Sequence, residues 1–285
     1  EADMNFDRRL TPARPDLAAE HLRGKVEAEA YLPGCEMRVV EEVLPLFPNP
    51  TREGPVDTHA LFGERVMIYE IDSEGWAWGQ LSADGYVGYM PADGLREHVA
   101  APNRRVSTPR TLVYPGPSMK LPTWGALPLG ALVTVAAEKG DFAEVPGLGF
   151  VWREHLSGLD AHQADFVSVA ERFIDAPYLW GGKTLLGLDC SGLIQISLGA
   201  CGIEAPRDTD MMEKALGAPL DLAAPDLRRG DLVFWKGHIG VMRDAETLLH
   251  ANGHHMLVVS EPLAVARQRI VGKTGRDVTS FRRLA

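Results

Sequence analysis

Apolar residues along this chain change their period twice. After a proline-rich opening, DLAAEHLRGKVEAEAY (residues 16–31) is made of good helix formers and predicts one modest helix within an N-terminal segment, 1–34. From 35 to 157 the apolar positions fall instead in short β-prone runs broken by Gly and Pro: EMRVV, ERVMIYEI, WAWGQL and YVGYMP, then LVYPGP, ALVTVA, FAEV and FVW. Strands this short, at this spacing, predict small antiparallel barrels. There is also a weak internal repeat. VLPLFPNP (43–50) followed by 63–90 is echoed by TLVYPGPS (111–118) followed by 130–152. Two copies of one barrel, at 35–100 and 101–157, are the economical reading.

From 158 to 285 the pattern is α+β. DFVSVAERFIDA (165–176) is apolar at helical spacing and is ended by Pro177. A second helix follows Asp189 as CSGLIQISLGACG, with Gly202 as its stop, and RDTDMMEKALG (207–217) predicts a third. Then come DLVFWK, HIGVM, TLLHAN and MLVVS, four apolar strands on short connections that form a sheet for the helices to cover.

A chain of 285 residues suits two or three domains. Its formal charge of −10 disfavours nucleic acid and anionic surfaces as partners, and a small or cationic ligand is easier to accept. No apolar run approaches the roughly 18 residues that span a bilayer. EADMNFDRRL carries charges where an export leader needs an apolar stretch, so a cytoplasmic place is expected. The 3 cysteines are too scattered for a disulfide framework or a zinc site, which fits a reducing compartment and leaves a thiol free to react.

Cys190 stands where the second helix begins. There the positive end of the dipole would favour thiolate, and the first amides could receive an oxyanion. Gly181, Gly182 and Gly187 would keep the approach open to substrate. The plainer reading is a small core hydrophobe, which is expected of Cys201; Cys35 has no evident partner. A nucleophile needs a base. His238 opens HIGVM and His250 lies in LLHAN, on neighbouring strands that can set the two rings side by side, although a single strand histidine is commonly structural. His254 and His255 follow in a turn, and a metal site built from them with His250 lacks a carboxylate or thiolate complement.

The run YLWGGKTLLGLDCSGL (178–193), then LRRGDLVFW (227–235), GHIGV (237–241) and LLHAN (248–252), resembles the NlpC/p60 family of bacterial cell-wall cysteine peptidases, and the preceding pair resembles bacterial SH3-like (SH3b) barrels. The resemblance implies a papain-like catalytic domain with Cys190 as nucleophile, His238 as base and His250 as the polar third member, and it implies no metal or organic cofactor. It is nearest to the γ-D-glutamyl-L-diamino acid endopeptidases, which cut murein stem peptides carrying a free N-terminal L-Ala.

Asp208 and Thr209 stand where such relatives bind the substrate's amino end. Asp208 is also placed to cap a helix. Tyr86 stands where relatives present a hydroxyl to the same amine, and Glu64 is a looser candidate carboxylate. Asp189 and Ser191 could order the substrate backbone or satisfy the helix start, and Tyr178 and Trp180 could line the cleft or wedge the core. A murein peptide is the expected partner, in turnover or recycling. Rival readings are an exported hydrolase of intact wall using the barrels as anchors, and a lapsed peptide-binding protein. The choice between meso-diaminopimelate and lysine, the oligomeric state and the role of the second barrel stay open.

Overall fold

A computed structural model describes residues 6–284 and divides the chain into two compact units between Leu159 and Asp160. Residues 16–31 are not the expected helix. Leu17–Ala19 and Ala30–Leu32 pair as parallel strands around a single 3-10 turn, Glu20–Leu22. Gly24, in the middle of the segment, adopts a left-handed φ of 78° that no helix accommodates. Leu17, Ala18 and Ala19 are all buried, and Leu17, Ala19 and Leu22 pack against Tyr69, Trp78 and Val87 of the first barrel. Helix propensities differ by only about a few tenths of a kcal/mol per residue. Burying an apolar side chain contributes about 1.5–3 kcal/mol, so tertiary packing wins.

The first barrel runs antiparallel through Val87–Pro91, Trp76–Leu81, Arg65–Ile71, Cys35–Val39 and Leu95–Arg96 in spatial order, with the hairpin Val43–Leu46/Thr58–Leu61 beside it. Val39, Leu46, Val66, Ala77 and Met90 fill its core. In the second barrel Gly125–Pro128, Arg110–Tyr114, Gly149–Trp152, Phe142–Val145 and Ala137–Lys139 form one sheet, and Leu132–Val133, Arg104–Val106 and Leu156–Gly158 another. Both barrels close the same way. A 3-10 turn, Ala92–Gly94 or Arg153–His155, enters from an extended residue of φ near −60° and leads into the last strand. The barrels meet where Leu132 N–H donates to Phe62 O at 2.8 Å. Gly63 makes that approach possible, since a Cβ there would lie 2.0 Å from Leu132 O.

In the second unit helix α1 (Phe166–Glu171) starts at Asp165, whose carboxylate accepts from Val167 N–H at 3.0 Å. It stops short of the expected Ala176. Asp175 is left-handed at φ 69°, and Asp175 and Ala176 are taken up by backbone hydrogen bonds with Val258. Helix α2 (Cys190–Ala200) follows Asp189, with Gly202 left-handed just past its end, and helix α3 (Thr209–Ala215) follows Asp208. The sheet contains β1 (Ala218–Pro219), β2 (Leu232–Trp235), β3 (His238–Met242), β4 (Thr247–Asn252), β5 (Leu257–Pro262) and β6 (Ser280–Arg283). Its spatial order is β1-β6-β2-β3-β4-β5, antiparallel throughout. The apolar run LVFW makes β2 buried on both faces, and α2 packs on β3 and β4. Helix α4 (Leu263–Thr274) was not anticipated. Only Leu263 and Ala266 of it are buried, too thin a stripe to show as a period, although Pro262 before it and left-handed Gly275 after it mark its ends. Among the described residues no helix is long and apolar enough to cross a membrane.

Candidate active site

The loop 178–189 and helix α2 bring Cys190 to the sheet. Asp189 caps α2, its Oδ1 accepting from Gly192 N–H at 2.7 Å and from the Ser191 hydroxyl at 3.2 Å. Its Oδ2 accepts from Gly181 N–H at 2.9 Å, and Arg207 bridges both oxygens at 3.0 and 2.7 Å. Arg207 is 1% exposed and also donates to Ser191 Oγ at 2.7 Å. Asp189 and Ser191 therefore bind each other, the loop and Arg207. Of the two readings the sequence left open, Asp189 takes that of the helix cap, its carboxylate occupied by the chain's own donors.

The glycines need correction too. A Cβ at Gly192 would lie 2.1 Å from Gly182 O, one at Gly182 would lie 2.4 Å from Gly187 O, and one at Gly187 would lie 2.4 Å from the Leu179 Cβ. They let the loop press on itself and on α2, and so fix the nucleophile's helix; clearing a path for substrate is not what their positions require.

Across from Cys190, strand β3 presents the Ile239 N–H to the sulfur and His238 immediately before it. Strand β4 pairs with β3 in the register Val241 to Leu249. Gly240 leaves room for His250, a Cβ there falling 3.1 Å from the His250 Cβ. The two imidazoles meet as expected, His238 Nε2 to His250 Nδ1 at 2.8 Å, with Trp235 tilted over His238 at 5.5 Å between ring centres.

Beyond them lies an acceptor that the sequence reading missed. His250 Nε2 is 2.8 Å from Glu261 Oε1, and Arg269 grips both oxygens of Glu261. Hydrogen bonds to Arg269 and His250 outweigh burial and hold Glu261 well below the usual carboxylate range, so it is ionised and can only accept. The proton of His250 is thus on Nε2. The Asn252 Nδ2, also 3.1 Å from Nε2, is itself a donor and takes no proton from the ring, its Oδ1 being committed to the N–H groups of His254 and His255. His250 Nδ1 then accepts from His238 Nε2–H, and the lone pair of His238 is left on Nδ1.

Burial first, then the neighbouring Asp189, push the Cys190 thiol up to about 11, against smaller lowering from the Ile239 N–H, Thr209 and Arg207. Burial, then His250 and Arg269, push the partly exposed His238 ring down to about 3. The resting pair is therefore neutral thiol and neutral imidazole. The helix start was expected to make the sulfur anionic, whereas burial and the adjacent Asp189 carboxylate push the thiol the other way. No hydrogen bond joins the sulfur to either ring among the described residues, and such bonds commonly tighten only with substrate in place.

Thr209 is buried with its hydroxyl 4.0 Å from Cys190 Sγ. Asp208, half-buried beside it, occupies the N-cap position of α3 without making the side-chain cap bond. Tyr178 is half-buried. Its phenol is raised by burial first and next by Cys190, which places it near the sulfur. Trp180 is 63% exposed and so is not a core wedge. Tyr86 belongs to the first unit, 4% exposed and packed in the first barrel's core, and Glu64 there accepts from Leu61 N–H at 3.0 Å. Cys35 is exposed, and Cys201 is only partly buried rather than core. His254 contacts Lys273 and His255 contacts Asn252.

Residues 175–273 match the model of the NlpC/P60 family, and residues 46–95 match that of the bacterial dipeptidyl-peptidase Sh3 domain. The γ-D-glutamyl-L-lysine dipeptidyl-peptidase of Bacillus subtilis is 28% identical over 223 residues, 69% of this chain and 72% of that protein. Dipeptidyl-peptidase 6 of Lysinibacillus sphaericus is 33% identical over 100 residues, 35% of this chain and 36% of the relative. A solved NlpC/P60 family protein from Bacillus cereus covers 87% of this chain and 99% of its own length, with a TM-score of 0.71 at 18% identity, and shows the shared fold. With an SH3-like β region preceding a papain-like unit in which a helix-start cysteine faces a histidine pair, this chain belongs to the NlpC/P60 family of cysteine peptidases.

Proposed function

We propose that this peptidase hydrolyses the bond between γ-D-glutamate and the diamino acid in murein stem peptides with a free N-terminal L-Ala, acting on released peptides in turnover. The observation that carries it is the start of α3. Thr209 touches the nucleophile, and next to it stands the half-buried carboxylate of Asp208. A buried ammonium needs such a countercharge, because taken out of water alone it is costly. The name of the Bacillus subtilis relative supports the same bond. For Tyr86 as a further partner of the amine, the sequence resemblance is the support.

In this reading the thiol proton passes to His238 Nδ1 as Sγ attacks the glutamyl carbonyl carbon. The N–H groups of Cys190 and Ser191 at the start of α2, which have no intrahelical acceptor, receive the developing oxyanion. As the C–N bond breaks, His238 returns the proton to the leaving nitrogen. Water, deprotonated by the same ring, then hydrolyses the thioester and restores the thiol.

Incubation with L-Ala-γ-D-Glu-diaminopimelate, free or N-acetylated, followed by mass spectrometry, tests the assignment. The free peptide is cut to L-Ala-D-Glu and diaminopimelate, and acetylation raises KM by at least about tenfold, the loss of one charge-assisted contact. Equal cleavage of both removes the amine site.

A further inference from the structure

Behind the base, helix α4 and the β2–β3 turn line a cavity of about 330 Å³. Its wall includes His238 and His250, the ring that His238 Nε2 meets, but neither Cys190 nor any residue of the loop 178–189. The cavity therefore stands on the Nε2 side of the base, away from the Nδ1 lone pair. None of its lining residues is acidic, although the chain as a whole carries a formal charge of −10. Lys236, Arg269, Lys273 and Arg276 all line it, and only Arg269 has a carboxylate, Glu261, among the described residues. The Lys273 ammonium lies instead 2.9 Å from His254 Nδ1. The same wall carries Trp235, 2% exposed, whose buried indole N–H has no acceptor. A donor left in that state is a standing cost that a bound acceptor removes.

Three cations without counterions and one donor without an acceptor, gathered in one recess, form the complement of a compact oxyanion with more than one charge. A phosphate group, with three acceptor oxygens and about −1.5 to −2 charges near neutrality as a monoester, matches that set. We infer that the cavity is an effector site for a phosphate group, free or as a small monoester, and that its occupation makes His238 a readier base. The charged and titratable groups around the ring are His250, Arg269, Lys236, Lys273, His254 and Arg276 on the cavity side, with Glu261 behind His250 and Cys190 across from the ring. Burial, then His250 and Arg269, hold that ring neutral. A dianion set among these groups offsets the positive field and favours the imidazolium that forms as the thiol gives up its proton. The inference does not depend on which bond is cut.

The test titrates the whole protein with inorganic phosphate or glycerol phosphate near neutral pH, with ionic strength held constant by sodium chloride. Binding is read from the nitrogen-15 shift of the Trp235 indole, assigned by its loss in Trp235→Phe. Action on the base is read from the rate at which iodoacetamide alkylates Cys190, followed by peptide mass spectrometry so that Cys35 and Cys201 are counted apart. The expected result is a saturable indole shift with a Kd on the order of 1–10 mM, since exposed pairs each add little, and alkylation faster by about three- to tenfold. Whichever compound saturates at the lower concentration identifies the source of the phosphate group. In Lys236→Gln/Lys273→Gln, whose urea midpoint reports that it is folded, basal alkylation is kept and both responses are lost. An indole shift that sodium chloride reproduces, a saturable shift with alkylation unchanged or slowed, or equal responses in the variant would overturn the inference. Neither readout uses a peptide, so failure of the proposed scissile bond is a separate result.

Discussion

An ionised carboxylate cannot donate a hydrogen bond, and this constraint at Glu261 propagates through two rings to leave a bare Nδ1 on His238. Replacing it tests the chain of protons. In Glu261→Gln the side chain can turn either O or N–H₂ toward His250, so the wrong tautomer becomes accessible without loss of volume. Turnover should fall about 10- to 100-fold, as is typical for partners one shell beyond a reacting histidine, with KM within twofold. A KM increase with kcat intact would show that Glu261 only supports the substrate site. Glu261 is a positioning residue: it acts through His250 and touches no reacting atom.

At the scale of elements, the nucleophile is set by one helix start and one loop pressed together without side chains between them. Arg207 is the tie, since from the segment leading into α3 it donates to both oxygens of Asp189, the cap of α2. Arg207→Met keeps the volume but leaves the Asp189 carboxylate buried without its countercharge. That should cost about 3–5 kcal/mol in urea unfolding, the usual result of breaking a buried pair from one side. A loss under about 1 kcal/mol would mean that water or another cation compensates. The reach of the sequence also differs by element. Helix α2 could be read from its Asp189 cap, and the meeting of His238 and His250 from the order of β3 and β4, because both depend on neighbours close in the chain. Residues 16–31 could not be read, since their strand form depends on Tyr69 and Trp78, far along the chain. Arg207 and Glu261 looked like any surface charge, and only folding brings Arg207 to Asp189 and Glu261 to His250.

For the whole molecule, the fold class read from the sequence is the one the structure shows: an SH3-like β region, then a papain-like unit whose sheet carries the histidine pair and whose helix α2 starts at Cys190. What the sequence reading misjudged was the electrostatic state of sulfur and ring. A helix start was expected to make thiolate, whereas burial and Asp189 keep the proton on sulfur and burial keeps it off His238. The sign is plain. A lowered imidazole pKa means that the charged ring appears only as pH falls well below its ordinary 6.5, and a raised thiol pKa means that thiolate appears only well above neutrality. Nitrogen-15 NMR of the histidine-labelled enzyme, titrated from about pH 5 to about pH 8 around the ordinary histidine range, reads the charge and the tautomer of His238 directly. The account predicts a neutral His238 across the range with its proton on Nε2 and a bare Nδ1. A doubly protonated His238 at pH 7, or a proton on Nδ1, would contradict it.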